Sequence, residues 1–250
     1  MLKKLLQSAR GTAGTHNKQN RDKWLTNTLS NIPAGGRILD AGAGELQYAP
    51  LCSHLDYVSQ DFAQYDGQGD GSGFQMGNYD NSRLDIVSDI ISIPEPDESF
   101  DAIMCVEVLE HVPYPVDALK ELTRLLRPDG YLIVTAPFCS LTHFAPYHYQ
   151  TGFNRYFYEH WLGNFGYDIV EIDYNGNFFE YLAQELRRVP AFNEQFANRG
   201  TSLLTKVAMV VLLRDLQRSS MKDQSSERLL SFGLHILARK LRKATKEGHK

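Results

Sequence analysis

Short apolar runs separated by polar turns fill the first 175 residues of the chain, and they predict alternating strands and helices. We expect six strands, at 37–40, 55–60, 84–88, 100–106, 131–136 and 167–173. Apolar residues at helical spacing predict helices at 116–126 and 156–165, and a helical arm over 1–34. The run 131–136 is apolar throughout, as is typical of a strand buried on both faces of a parallel sheet. The alternation predicts an α/β fold with right-handed crossovers.

Two regions interrupt this alternation. Residues 66–77 contain five glycines where a helix would normally join the second and third strands, and that content disfavours a helix. The segment is either a lid over a site or a plain loop, and its aspartates lack the ligand spacing of a calcium site. Residues 176–226 predict two helices inserted ahead of a last strand at 229–238.

These changes in pattern predict five parts of the chain. They are an N-terminal helical arm at 1–36, a core at 37–175, the helical insertion at 176–226, the final core strand at 227–239 and a basic tail at 240–250. We expect the insertion to pack on its own sheet, with a homodimer interface or a lid as the alternative. Its apolar face would consist of Leu203, Leu204, Val207, Val210, Val211 and Leu213.

Charge and composition narrow the function. Of the 26 Lys and Arg residues, six lie in 1–24 and six in 239–250, so the body between holds 14, against 28 Asp and Glu. An acidic body argues against a nucleic-acid-binding surface. The three cysteines, Cys52, Cys105 and Cys139, form no disulfide or metal-knuckle pattern, and they favour a reducing cytoplasm. The longest apolar run, 207–213, is too short for a transmembrane segment, so we expect none.

The candidate chemistry lies at the ends of the predicted strands, where parallel sheets bind ligands. Asp40 ends the first strand, and Gly42 and Gly44 in the following loop let backbone approach a ligand closely. Gln47 stands where a dinucleotide fingerprint would have its third glycine. The loop therefore favours a nucleoside that carries an amino acid over a pyrophosphate. Asp61, 21 residues after Asp40, suits a ribose diol.

Asp89 and Ile90 follow the third strand. A carboxylate there can accept a hydrogen bond from an adenine amino group while the aliphatic side chain covers the ring. Taken alone, Asp61 reads equally well as part of a surface turn and Asp89 as a helix cap. Their order along the chain, after the loop that follows Asp40, predicts a nucleoside cofactor.

Five segments together resemble the class I methyltransferase domain, in its type 11 group. They are I-L-D-A-G-A-G at 38–44, D-F at 61–62, S-D-I at 88–90, S-F-D-A-I-M-C-V-E-V-L-E-H-V at 99–112 and L-L-R-P-D-G-Y-L-I-V-T-A-P at 125–137. The resemblance implies a Rossmann-like, mostly parallel seven-stranded sheet flanked by helices, with an antiparallel last strand. It also implies S-adenosylmethionine as cofactor. The residues expected to hold it are Asp40, Gly42, Gly44, Asp61, Phe62, Asp89, Ile90 and Val106.

A cluster of ionisable residues comes just after the fourth strand: Glu107, Glu110 and His111. If this segment is helical, the three side chains share one face and suit a divalent cation. The E-x-x-E-H run is similar to that of metal-dependent 2′-O-methyltransferases of small RNAs and of ubiquinone-pathway O-methyltransferases. In those families a later histidine completes the site, and His148 fits that position slightly better than His143. The resemblance thus implies a metal set of Glu107, Glu110, His111 and His148.

A metal-free reading stays open, because Glu-His after the fourth strand is common in the type 11 group. The histidine then caps, packs or acts alone as a base. In either case the candidate catalytic residues are His111, His148, His143 and Glu107. Aromatic residues after the fifth strand, at Phe144, Tyr147 and Tyr149, are expected to line an acceptor pocket.

The sequence favours an O-methyltransferase that acts on a small molecule, a sugar or a glycan precursor. A methyltransferase for RNA or protein is the first alternative, and the acidic body weighs against it. A non-catalytic scaffold that only binds the cofactor is the second, and the intact carboxylates and glycines weigh against that.

Overall fold

The computed structural model describes residues 11–242. The first ten residues of the expected arm and residues 243–250 of the expected basic tail lie outside the described residues. Within the described range the chain divides into two compact units. One contains 23–173 with 233–242, and the other contains 11–22 with 174–232.

Seven strands form one sheet in the described part of the chain. They are β1 (Arg37–Ala41), β2 (Asp56–Asp61), β3 (Ile86–Val87), β4 (Phe100–Val106), β5 (Leu126–Pro137), β6 (Tyr167–Asn175) and β7 (Gly233–Lys240). Their order across the sheet is β3-β2-β1-β4-β5-β7-β6. β1 to β5 pair in parallel and β7 runs antiparallel to β5. The predicted Rossmann-like sheet is confirmed, and the loops that follow its parallel strands share one edge.

Five helices accompany the sheet within residues 11–242: α1 (Asn17–Ser30), α2 (Pro115–Leu125), α3 (Arg155–Asn164), α4 (Phe178–Ala197) and α5 (Leu203–Lys222). α2 begins with Pro115, whose fixed φ suits a first helical turn. Ala118, Leu119, Leu122 and Leu125 of α2 are all buried, at the spacing of a single helix face. The Asn154 side chain caps α3 by accepting hydrogen bonds from the N–H groups of Tyr156 and Phe157.

The core of the larger unit lies between the sheet and the C-terminal half of α1. Leu25 and Leu29 of α1 are fully buried in one apolar cluster with Ile38 of β1 and Met104 of β4. Each such side chain contributes about 1.5–3 kcal/mol on burial. This packing fixes β1 and β4 as the centre of the sheet, and the loops that follow them become the centre of its ligand-binding edge.

The smaller unit is built on the pair α4 and α5. Ser202 caps α5, with its side chain accepting from the N–H of Thr205. Leu213 and Ala183 are fully buried against Ala13. The face expected for the insertion is divided in the structure. Val210 and Leu213 are buried, whereas four residues are exposed: Leu203, Leu204, Val207 and Val211.

Several predicted boundaries were wrong. The third strand has two residues instead of five, and the last strand begins at Gly233 instead of 229 because 226–228 form a short 3-10 helix. β5 begins at Leu126, five residues earlier than expected, since Gly130 continues the strand where a turn was predicted. A Cβ at Gly130 would lie 2.8 Å from the Asp101 carbonyl oxygen, so glycine permits the close approach. No helix within residues 11–242 has the length and apolar character to cross a bilayer.

Candidate active site

The loop after β1 is tightly folded around its two glycines. Gly42 has φ +83° and Gly44 has φ +51°, both in the left-handed region that favours glycine. A Cβ on Gly42 would lie 2.4 Å from Cγ2 of Val108, and one on Gly44 would lie 2.0 Å from the Tyr79 hydroxyl oxygen. The Gly42 N–H donates to the Gln60 carbonyl at 2.8 Å. Glycine is therefore needed at both positions, because a Cβ would clash with a neighbouring side chain and because φ is positive.

Asp40 lies beneath this loop and is 2% exposed. The Tyr57 hydroxyl donates to its Oδ2 at 2.6 Å. Burial raises the pKa of Asp40 to about 7, and the nearby carboxylate of Asp61 adds to the effect against the Tyr57 hydrogen bond. The site thus holds a carboxyl group that gains from any cation brought close to it. The role of Tyr57 was missed from sequence, because its partner lies on the neighbouring strand.

Asp61 ends β2 and is also mostly buried. Its Oδ2 accepts from the N–H of Gly44 at 3.1 Å, and its Oδ1 accepts from the N–H of Ala63 at 2.9 Å. Burial raises its pKa despite these hydrogen bonds. The link to Gly44 ties the loop after β1 to the end of β2, so the two predicted cofactor elements form one structure.

A cavity of about 490 Å³ opens at this edge of the sheet. This size is within the usual range for small-molecule sites. Among the expected cofactor residues, five line its wall: Gly42, Asp61, Phe62, Asp89 and Ile90. Asp40, Gly44 and Val106 are not part of that wall.

The far end of the cavity is formed by the segment after β3. Ile90 is 7% exposed and lines the wall beside Asp89. The Asp89 Oδ1 accepts from the N–H of Ile91 at 3.1 Å, so Asp89 also acts as a local turn-forming residue. Asp89 therefore lies on the cavity wall, as a cofactor contact requires, whereas the helix-cap interpretation is wrong because no helix begins between β3 and β4.

Aromatic residues after β5 also line the cavity. Phe144, Tyr147 and Tyr149 line the same cavity as the cofactor residues. Tyr147 meets Phe62 edge-to-face with ring centroids 5.0 Å apart. Tyr65, absent from the sequence prediction, stacks on Phe144 at 4.5 Å. It lies between β2 and the glycine-rich segment, where no pattern in the sequence marks it.

The Glu107–His111 segment does not form the α-helix considered from the sequence. Glu107 has φ +55°, and only Leu109–His111 form a short 3-10 helix. The Glu107 carboxylate accepts from the Thr135 hydroxyl at 2.9 Å and lies on the cavity wall. Glu110 is instead fully buried. The turn at Glu107 thus separates two carboxylates that helical spacing would have placed on one face.

Glu110, His111 and His143 converge on one point. Glu110 Oε1 lies 3.8 Å from His111 Nε2 and 4.0 Å from His143 Nε2. His111 Nδ1 lies 2.6 Å from the Tyr147 carbonyl, and His143 Nδ1 lies 2.8 Å from the Leu141 carbonyl. Because a carbonyl only accepts, each Nδ1 carries a proton, and in the neutral form of either ring Nε2 presents the lone pair. One ligand atom from each of the three residues fits within a span of 4.8 Å.

Burial lowers the pKa of His111 to about 3, with a further contribution from the neighbouring His143. The imidazole is therefore neutral, which is the form that binds metal ions. A carbonyl holding the distal ring nitrogen is the usual outer partner of a metal-bound histidine. The cluster can accept a divalent cation without rearranging its tautomers.

His148 takes a different place from the one expected. Its Nε2 lies 3.1 Å from the Ser140 hydroxyl, and its ring centroid is 4.8 Å from that of His143. The structure thus reverses the sequence ranking, with His143 inside the converging group and His148 beside it. Within the described residues, Glu107 and His148 are not part of that group. The difference depends on how the 138–149 segment folds, which no local pattern reveals.

Comparison with known proteins supports the methyltransferase prediction. Residues 39–134 match a family model described as a methyltransferase domain, of the type 11 group. The matched segment is less than half of the chain, and it coincides with the motifs that predicted a class I methyltransferase domain. It is 30% identical over 109 residues to a ubiquinone biosynthesis O-methyltransferase of Xylella fastidiosa, covering 41% of this chain and 42% of that protein. It is 28% identical over 135 residues to a probable methyltransferase of Arabidopsis thaliana, covering 50% and 22%. The chain therefore spans well under half the length of these two curated relatives.

A solved structure extends the similarity beyond the matched segment. The methyltransferase domain and its flanking elements resemble a SAM-dependent methyltransferase from Archaeoglobus fulgidus with a TM-score of 0.55. The alignment covers 89% of this chain and 94% of that one at 16% identity. At that identity the likeness concerns the fold, including its sheet order.

Proposed function

We propose that this protein transfers a methyl group from S-adenosylmethionine to a hydroxyl oxygen of a small acceptor, and that a divalent cation assists. The observation that carries the proposal is the convergence of Glu110 Oε1 with His111 Nε2 and His143 Nε2 next to the cofactor cavity. The similarity to a ubiquinone biosynthesis O-methyltransferase supports oxygen as the acceptor atom.

The cofactor would lie along the wall from the β1 loop to the segment after β3. Asp61 would contact the ribose diol, and Asp89 with Ile90 would contact the adenine ring; that all three line the cavity supports these roles. The methionyl part would contact the β1 loop above Asp40, whose buried carboxyl group favours the cofactor's positive charge. Glycine is needed at position 42 of this wall, since a Cβ there would clash with the Val108 side chain.

The acceptor would enter between the aromatic wall and the converging group. A bound divalent cation would supply Lewis acidity that lowers the pKa of the attacking hydroxyl. His111 and His143 would hold it through Nε2, and the Glu110 carboxylate would balance its charge. Glu107 on the cavity wall and His148 beside His143 are the candidates for receiving the hydroxyl proton. If no cation binds, Glu107 and His148 keep that role, because a pKa of about 3 makes His111 a weak base.

Two measurements test the proposal separately. S-adenosylhomocysteine should bind to the purified protein, and Asp61→Ala should weaken that binding. If the wild type does not bind S-adenosylhomocysteine, the protein is not a methyltransferase for either a small molecule or RNA. Retained affinity in Asp61→Ala would contradict the ribose contact.

The metal part is tested by titrating chelator-treated protein with Co²⁺ and following its visible absorption. His143→Gln should lose most of the affinity, while His160→Gln should keep it. His160 is a matched control because it lies on α3, where its ring contacts Asn164 and Trp161 of the same helix. Methyl transfer at full rate after metal removal would contradict assistance by a cation.

We also propose a cellular location and an oligomeric state, from the thiols and the exposed apolar residues. Cys52, Cys105 and Cys139 are free, with the first two buried and the third exposed. Free thiols support a reducing compartment, and we propose the cytoplasm. The exposed apolar residues of α5 support a homodimer through 176–226, which sedimentation at several concentrations would test.

A further inference from the structure

The glycine loop (residues 66–77) pairs directly with the segment that carries His143. The Phe74 N–H donates to the Thr142 carbonyl at 3.1 Å, and the Phe144 N–H donates to the Phe74 carbonyl at 2.9 Å. Phe74 and His143 thereby form an isolated parallel bridge. The two hydrogen bonds hold the residues immediately before and after His143. The backbone of one residue in the glycine loop thus fixes the peptide groups on both sides of the histidine.

Further hydrogen bonds attach the glycine loop to Ala145. The Asp70 N–H donates to the Ala145 carbonyl at 3.0 Å, and the Gln75 side-chain amide donates to the same oxygen at 3.2 Å. The Tyr65 hydroxyl in turn donates to Gln75 Oε1 at 2.8 Å. Thr142, Phe144 and Ala145 are therefore each hydrogen-bonded to the glycine loop, and His143 lies between them.

Two of the glycines are needed for this contact, and two others are not. A Cβ on Gly69 would lie 1.9 Å from the Ala145 carbonyl oxygen, and one on Gly73 would lie 2.4 Å from the Thr142 carbonyl oxygen. Gly71 and Gly77 have nothing within 4 Å of a Cβ. All four have positive φ values, from +51° to +87°. The close approach of two backbones explains glycine at 69 and 73, whereas conformation alone explains it at 71 and 77.

An aromatic stack continues the connection to the other histidine. Tyr65 stacks on Phe144, and Phe144 stacks on His111 with centroids 5.0 Å apart. Tyr65 is 3% exposed and follows the end of β2 by four residues, close to the ribose-binding position Asp61. Tyr65, which is hydrogen-bonded to Gln75 of the glycine loop, therefore connects the end of β2 with Phe144 and His111.

We propose that the glycine loop is a positioning element that holds His143 in the tautomer and place required beside Glu110 and His111. Without the glycine loop, the peptide groups on both sides of His143 would lose their hydrogen bonds to Phe74, and the ring orientation that places Nδ1 against the Leu141 carbonyl would be less restricted. The purpose of this positioning rests on the proposed metal-assisted function. The contacts between the glycine loop and residues 142–145 do not depend on that function.

The test compares Gly73→Ala with Gly71→Ala. Both substitutions place Ala at a positive φ, +66° and +78°, but only the first inserts a methyl group into the contact with Thr142. The first readout is the ¹⁵N spectrum of the imidazole rings in the metal-free protein, with the His143 signals assigned through His143→Gln. Wild type and Gly71→Ala should show His143 as one Nδ1–H tautomer, and Gly73→Ala should show a mixture.

The second readout is Co²⁺ affinity, with S-adenosylhomocysteine affinity as the check on folding. Gly73→Ala should bind Co²⁺ about 10- to 100-fold more weakly, the range typical for loss of an outer partner of a metal ligand. Its affinity for S-adenosylhomocysteine should equal that of Gly71→Ala. Absence of Co²⁺ binding by the wild type would refute the proposed cation while the ring spectra still decide the positioning role.

Two results would overturn the positioning role. One is an unchanged His143 spectrum in Gly73→Ala, and the other is an equal change in Gly71→Ala. If Gly73→Ala does not fold, Gln75→Leu replaces it, because this variant removes the bond to the Ala145 carbonyl without adding bulk at a glycine. An unchanged His143 spectrum in Gln75→Leu would then refute the role.

Discussion

Replacing Asp40 by Asn should stabilise the cofactor-free protein, by an amount that increases with pH. Asp40 is buried, and its Oδ2 accepts from the Tyr57 hydroxyl. Asn keeps a side-chain oxygen for that hydroxyl and is nearly the same size as Asp. The substitution therefore removes the ionisation of the group while preserving its packing and its main hydrogen bond.

The sign follows from where the proton is held. Burial raises the pKa of Asp40 from 3.8 to about 7, so between these values the folded protein retains a proton that the unfolded chain releases. The free energy of unfolding then falls as the pH rises through this window and levels off above about 7. A rise from 3.8 to about 7 corresponds to at most about 4 kcal/mol. Asp40→Asn stays neutral and is free of this loss.

Urea unfolding followed by circular dichroism at about pH 5 and about pH 8 measures the effect. The difference in unfolding free energy between Asp40→Asn and wild type should grow between the two pH values. Asp168→Asn serves as the control, because Asp168 is exposed on β6 and its removal should leave the pH dependence unchanged. Parallel pH dependence in Asp40→Asn and wild type would refute the reasoning, since it would mean that Asp40 ionises as an ordinary carboxylate.

Two further substitutions test the site and the smaller unit. Gly42→Ala should lose S-adenosylhomocysteine affinity, because its Cβ would lie 2.4 Å from Val108 Cγ2, whereas Gly35→Ala, at a similar φ and with nothing within 4 Å, should keep it. Equal losses in calorimetric titrations would show that conformation alone matters. Leu213→Ala should cost about 2–5 kcal/mol in urea unfolding, because the side chain is fully buried. Leu204→Ala, which is 80% exposed, should stay within about 0.5 kcal/mol; a comparable loss there would indicate a buried partner.

The parts of the fold that the sequence predicted are those determined by local pattern. The apolar run of β4 was placed at its observed limits, 100–106, because an uninterrupted buried strand leaves an unambiguous pattern. β3 was overextended, since only Ile86 and Val87 pair with β2 although their neighbours are also compatible with a strand. Strand limits that depend on a partner's length cannot be read from one segment.

The candidate site divides in the same way. Asp61 and Asp89 could be placed at strand ends because the chain order fixes the edge of the sheet on which they lie. The sequence ranked His148 ahead of His143, because the bonds that place His143 are made with Phe74, about 70 residues earlier in the chain. The helical spacing considered for Glu107 and Glu110 fails because Glu107 has a positive φ, which an α-helix does not allow.

The three thiols differ in exposure, and only Cys139 is accessible to a labelling reagent. Burial raises the pKa of Cys52 to about 12 and that of Cys105 still further, so neither forms a reactive thiolate readily. Cys139 is exposed and adjoins Ser140, whose hydroxyl contacts His148. A maleimide dye would therefore label the native protein at one position without any engineered cysteine. Its fluorescence would report on ligands that enter beside the histidines.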